Sequence, residues 1–208
     1  MMDASALRIA GLLASRLCHD LVGPLGAVNN GLELIAEEDA MAEEALGLAQ
    51  RSAKRASSRL QFFRYAFGAA GGEPNFGHGE ARPVALNLLN NGDIAVDWPE
   101  AKVELPTGAG RLLLNMALLA SECLPRGGNL RVNLSTNRIA IAVNGPQARL
   151  SAETKAAIAG SVTAAQLTAR TVVGYYVVQL ANGLGAKLEL GEEGNGTVRF
   201  HTAFVPGK

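Results

Sequence analysis

Cysteine, aromatic residues and net charge are all scarce in this chain of 208 residues. Cys18 and Cys123 stand alone, with no metal-ligand spacing around them, which argues against a structural metal module and suits a reducing cytosol. Aromatics make up 5% of the residues against 48% apolar overall, so the core has to be built from Leu, Ala and Val. Lys and Arg number 19, as do Asp and Glu, so the basic excess of a general nucleic-acid binder is missing. Long hydrophobic runs are missing too. The longest uncharged stretch, Thr171 to Ala186, carries Gln179, Asn182 and three glycines and is too short to span a bilayer. In Met1 to Arg16, Asp3 stands before a short apolar run that Arg16 interrupts, a poor signal peptide. No internal repeat or low-complexity tract is visible. The expectation is a soluble cytoplasmic protein without nucleic-acid or membrane partners.

What is present is concentrated in His19-Asp20-Leu21-Val22-Gly23-Pro24-Leu25. An apolar stripe runs Leu7, Ala10, Ala14, Leu17, Leu21, Leu25, Val28, Leu32, Ile35 in helical steps. His19 lies two residues from both Leu17 and Leu21, about 200° around a helix from each, and therefore faces water. Gly23, Pro24 and Gly26 forfeit roughly 5 kcal/mol of helix propensity relative to Ala. Sequences tend to break a local rule where function is served. Spacing alone fits an exposed nucleophilic histidine and an ordinary surface histidine beside a proline kink equally well.

The first helix is expected from Ser5 to Glu37, a carboxylate-rich turn at Glu38 to Ala40, and a second helix over Met41 to Phe67. The second seam reads Ala45, Ala49, Ser52, Ala56, Leu60, Phe63, Phe67. Two such helices form an antiparallel hairpin. A lone hairpin cannot bury both seams, so the economical solution is a homodimer closing a four-helix bundle. The competing solution packs the hairpin on the rest of its own chain. Gly68 to Arg82 is rich in glycine and reads as a break. Beyond it come a strand at Ile94 to Trp98, a helix at Gly110 to Leu124 and a β-hairpin of Leu130 to Ser135 with Arg138 to Val143. A short helix capped by Ser151 runs to Ile158, and a longer one spans Ala165 to Asn182. A final hairpin joins Lys187 to Leu190 with Thr197 to Val205. The expected fold class is α + α/β, a helical hairpin followed by a two-layer α/β sandwich. The corresponding division is a hairpin at 1–70, a linker at 71–82 and an α/β domain at 83–208.

His19 to Leu25 resembles the phospho-acceptor box of sensor histidine kinases. Arg111 to Gly128 occupies the place of the helix that carries the kinase asparagine box. Gly174 to Lys187 with Gly194-Asn-Gly-Thr197 is similar to the last kinase helix and hairpin. The departures matter. Aligned on Asn115, the second asparagine that would hold Mg²⁺ and phosphates is replaced by Leu119, whose side chain offers a hard cation no oxygen. Val143-Asn144-Gly145-Pro146-Gln147 stands where an Asp-x-Gly-x-Gly box would accept from adenine, and of the lid glycines only Gly174 remains. A kinase-like chain with an acceptor histidine and a nucleotide-dead second domain resembles the ChpT-type histidine phosphotransferases, a likeness that Arg64 to Gly68 and Leu124 to Gly128 share.

That resemblance implies shuttling of phosphoryl groups between receiver aspartates without ATP. The donor would be the receiver of a hybrid histidine kinase and the recipients CtrA-like response regulators. Neutral His19 would be the nucleophile, with Asp20 accepting from Nδ1–H and freeing Nε2 for attack. No cofactor is expected, because the receiver brings Mg²⁺. Arg16 could neutralise phosphoryl charge or meet an acidic pocket, and it equally fits a solvated arginine. Arg51, Arg55 and Arg59, with Lys54 and Arg64, form a basic stripe that reads as receiver-binding or as a solvated face. Phe62 could add an apolar docking contact or pack in the core. Gly23 stands where phosphatase-competent kinases carry Thr or Asn to orient water. Two rival functions remain at this point, a divergent active histidine kinase and a non-catalytic dimeric adaptor for receivers.

Overall fold

The computed structural model describes residues 4–37, 41–90 and 92–204. Helix α1 (Ala4–Glu37) runs through Pro24, and α2 (Ala42–Ala66) returns beside it. The two approach closely near the far end of the hairpin. A Cβ added to Gly31 would lie 2.9 Å from the Ala45 carbonyl oxygen and 3.0 Å from Ala49 Cβ, so only glycine fits without a shift. The turn expected at Glu38 to Ala40 lies outside the described residues.

On α2, Ala45, Ala49, Ser52, Ala56 and Phe63 are buried as the spacing predicts, but Leu60 is 55% exposed. Phe62 is buried instead, completely. Beyond Ala56 the buried face rotates away from Leu60, because the last turns of α2 leave the hairpin seam and enter the core of the second layer. Phe62, Phe63 and Ala66 are all part of that core, with Phe62 set edge-on to Phe63 at 6.1 Å. The expectation that Phe62 offers a docking contact is thereby corrected, since no part of its ring reaches the surface.

A 3₁₀ turn at Ala69–Gly72 leads to α3 (His78–Leu89). The segment expected as a linker, 71–82, therefore carries the start of a helix, which Glu80 opens by accepting from the Gly77 N–H at 3.0 Å. There follow β1 (Ile94–Asp97), α4 (Ala109–Ser121), β2 (Gly128–Ser135), β3 (Arg138–Asn144) and α5 (Ala152–Ile158). The chain closes with α6 (Val172–Gly183), β4 (Lys187–Glu193) and β5 (Thr197–Ala203). Helix α6 starts later than Ala165. The Thr168 and Thr171 hydroxyls each accept from the other's backbone N–H, at 3.3 and 3.0 Å, which holds the preceding residues outside the helix.

The strands order β1-β2-β3-β5-β4, parallel only between β1 and β2. In β3, Ile139, Ile141 and Val143 point to the core while Ala140 and Ala142 face the other way, the alternation of a half-buried sheet. Helix α4 is the centre of the covering layer, with every residue from Ala109 to Ala120 buried except Arg111. The Asn115 amide donates to the Ala66 carbonyl at 2.8 Å and fastens the end of α2 to this layer. The architecture is a helical hairpin followed by a two-layer α/β sandwich. Phe62→Ala should lower the unfolding free energy by about 3–5 kcal/mol, the usual loss for a buried phenylalanine, as measured by urea denaturation. A loss below about 1 kcal/mol would contradict its place in the core.

Candidate functional site

On α1 it is Ile9, Leu12, Leu13 and Leu17 that pack against the core, while Leu7, Leu25 and Leu32 of the expected stripe are exposed. His19 lies outside this contact with a side chain 82% exposed. The other two histidines differ. His78 is buried and its Nδ1 accepts from the Val103 N–H, while His201 pairs with Glu189 across strands at 3.5 Å. His19 Nδ1 lies 3.1 Å from Asp20 Oδ1, so Nε2 is the ring nitrogen left open to solvent. Pro24 has no N–H to give the Asp20 carbonyl four residues earlier, which removes one helical hydrogen bond just beyond the histidine.

Asp20 itself is largely covered, with 11% side-chain exposure. Its Oδ2 accepts from Arg16 Nε at 2.9 Å and lies 4.0 Å from Arg59 Nη1. Arg16 also donates from Nη2 to Glu122 Oε1 at 2.8 Å, reaching across to the residue that follows α4. Burial works against the Arg16 charge, but Glu122 and Asp20 outweigh it and raise its pKa above the ordinary value. Burial also pushes the Glu122 carboxyl above the usual carboxylate range, an effect that Arg16 opposes. Further down α1, Arg8 donates to the carbonyls of Ala164, Ala165 and Leu167 at 2.8, 2.7 and 3.1 Å. Helix α1 is thus tied to the α/β layer at two points, and the Arg16–Glu122 tie lines a groove. The groove has His19, Arg16 and Asp20 on one wall and Ser151, Thr154 and Arg170 on the other.

Of the residues singled out in the sequence, His19, Asp20, Arg16 and Arg59 come together. Arg55 is exposed one turn along α2, in a basic cleft with Arg51, Lys54 and Arg59 facing Asn87 and Asp93. Phe62 lies beneath, in the core. Glu122 and Arg8 were not anticipated. Glu122 meets Arg16 across 106 positions of sequence, and neither carries a local signal beyond its charge. Among the described residues no cluster of His, Cys, Asp and Glu could hold a metal ion, and no helix is long and apolar enough to cross a membrane.

The positions matched to the kinase nucleotide boxes are occupied by structural contacts. Leu119 is fully buried, and the Asn115 amide is committed to the Ala66 and Arg111 carbonyls. Asn144 closes the sheet end, donating to Thr197 Oγ1 at 2.9 Å and to the Gly196 carbonyl at 3.3 Å.

Residues 78–196 match the family model of the histidine phosphotransferase C-terminal domain. The chain is 40% identical over 191 residues to the protein phosphotransferase ChpT of Brucella abortus (strain 2308), covering 89% of this chain and 91% of that one. The chain belongs to the histidine phosphotransferase family. A solved structure of a bacterial phosphotransferase superposes with a TM-score of 0.83 at 36% identity, over 97% of this chain and 98% of that one. This phosphotransferase is accordingly of the ChpT type, a component of a two-component phosphorelay whose partners include receiver domains.

The two thiols should differ in this phosphotransferase. Cys18 is exposed beside His19, while burial pushes the Cys123 thiol up to about 12. Titration of the native protein with a disulfide reagent at neutral pH should therefore find one fast thiol, Cys18, with Cys123 reacting only after unfolding. Two fast thiols would contradict the packing beneath α4.

Proposed function

We propose that His19 is the residue that carries the phosphoryl group, and one observation supports this above the others. Its imidazole is the exposed histidine of the chain, with Nδ1 against a carboxylate and Nε2 open to a groove. Nε2 attacks the phosphorus of a receiver aspartyl phosphate. The P–N bond forms as the P–O bond to the aspartate breaks, and that carboxylate leaves with the electron pair. Asp20 keeps the proton on Nδ1, which fixes the nucleophilic tautomer and balances the positive charge developing on the ring. The second receiver reverses the same steps. The divalent cation of such a transfer belongs to the receiver, so what this chain supplies is position and charge.

Arg55 and Arg59, with the rest of the basic cleft, complement the acidic surface around a receiver's phosphorylation site and raise the encounter rate more than the affinity. Arg16 acts indirectly, through Asp20. The donor is the receiver of a hybrid histidine kinase and the recipients are CtrA-like response regulators, all cytoplasmic. ATP has no part in the reading, because the buried Leu119 offers no oxygen where the second asparagine would hold Mg²⁺, and Val143 to Gln147 holds no aspartate to accept from adenine.

The protein works as a homodimer in this reading. Gly31 is the one buried residue of α1, while Leu25 and Leu32 are 52% and 54% exposed and Leu60 on α2 is 55% exposed. A facing hairpin that covers them gains roughly 1.5–3 kcal/mol for each large side chain. Phe63 is not among them, being already buried within its own chain.

His19→Ala should abolish phosphoryl acceptance from a phosphorylated receiver while leaving the circular dichroism spectrum unchanged. Label taken up by that variant would refute the assignment. Asp20→Asn should slow single-turnover transfer roughly 10²-fold, a usual contribution for a group managing a proton. Leu25→Glu combined with Leu32→Glu should convert a dimer to a folded monomer in light scattering, and a wild-type monomer would contradict the bundle.

A further inference from the structure

The α/β layer reaches the acceptor histidine through a continuous chain of polar contacts. His19 Nδ1 meets Asp20 Oδ1 at 3.1 Å, Arg16 Nε donates to Asp20 Oδ2 at 2.9 Å, and Arg16 Nη2 donates to Glu122 Oε1 at 2.8 Å. Exposure drops from 82% at His19 to 11% at Asp20, and Arg16 and Glu122 stay largely covered at 16% and 24%. Oδ1 of Asp20 faces the imidazole, and Oδ2 faces Arg16, with Arg59 Nη1 at 4.0 Å on the same oxygen. That division depends on where the guanidinium points.

A guanidinium is a planar fork that pairs with both oxygens of a carboxylate when nothing else holds it. Glu122 holds one prong of Arg16, so only Nε is presented to Asp20, and only at Oδ2. Released from Glu122, the fork is free to close on both oxygens and to compete with His19 for Oδ1. Glu122 is held at the end of α4, its backbone N–H donating to the Leu118 carbonyl at 3.2 Å, and Arg8 fastens α1 to the same layer through three carbonyls.

We infer that Glu122 is a positioning residue for phosphoryl transfer, holding Arg16 so that Asp20 keeps Oδ1 for the Nδ1–H of His19. The degenerate ATPase-like layer then completes the acceptor site besides offering a wall of the groove. Glu122 touches no reacting atom. Its effect is on the fraction of His19 rings with the proton on Nδ1 and the lone pair on Nε2. The inference rests on His19 being the phosphoryl acceptor.

The test uses the full chain as wild type, Glu122→Met and Glu122→Ala, which both lack the oxygen that holds Arg16, with a phosphorylated receiver. Single-turnover transfer, receiver affinity, melting temperature and the ¹⁵N spectrum of the His19 ring are measured on each. Transfer should slow roughly tenfold in both variants, less than for loss of Asp20 itself. Receiver affinity should stay unchanged, and the ring spectrum should move toward mixed tautomers. An unchanged rate overturns the inference. So does a rate loss matched by lost receiver affinity, or a lower melting temperature with an unaltered ring spectrum. If Glu122→Ala fails to fold, Glu122→Met, of similar length and without the acceptor oxygen, carries the same readouts. A wild type that takes no label, or a His19→Ala variant that does, refutes the acceptor assignment. A labelled wild type with indifferent Glu122 variants refutes this inference alone.

Discussion

The burial of the last two turns of α2 in the α/β layer is the constraint on which the rest of the molecule depends. Phe62, Phe63 and Ala66 are sunk under α4, and the Asn115 amide holds the Ala66 carbonyl. That contact sets the angle and depth at which the hairpin leaves the sandwich. Helix α1 is placed by packing on α2, and its tie to Glu122 and to the 164–167 loop then follows. His19 projects from α1 above that junction, so its direction is fixed by hydrophobic contacts that do not touch it. Each fully buried phenylalanine in such a contact is worth several kcal/mol, far more than the surface ion pairs nearby.

The same α/β layer holds three residues at positions that resemble kinase nucleotide boxes. Asn115 is a polar side chain inside a helix buried nearly all round, and it serves as a strut between α4 and α2. Leu119, one turn later, is core. Asn144 seals the end of the sheet against the β4–β5 turn. The residues that stand where the kinase resemblance would put nucleotide boxes are engaged in packing and hydrogen bonding.

Much of this was legible in the sequence, and the failures have identifiable causes. The hairpin was legible because its apolar steps continue for many turns, and the outward direction of His19 follows from its angle between Leu17 and Leu21. The β-hairpins were legible from alternation around Thr136-Asn137 and Gly191 to Gly196. Helix α3 was missed because Gly77, Gly79 and Pro83 are loop signals, whereas burial of Ala81, Val84 and Ala85 decides the segment. Leu60 and Phe62 were exchanged because periodicity extends a seam in a straight line, and the seam bends where α2 meets a second partner. Arg16, Asp20 and Arg59 fall together by helical spacing and hairpin antiparallelism. Glu122 joins them only through tertiary structure, which no local pattern records.

The central claim is that one nitrogen of one histidine carries the phosphoryl group between receivers. The most direct measurement is ³¹P NMR of the protein after incubation with a phosphorylated receiver, followed by tandem mass spectrometry of its peptides. The account predicts a single acid-labile P–N resonance and a phosphate located on the peptide containing His19, bonded at Nε2. A phosphate on His78, on His201 or on an oxygen nucleophile, or a protein that gains no phosphorus signal, would contradict it.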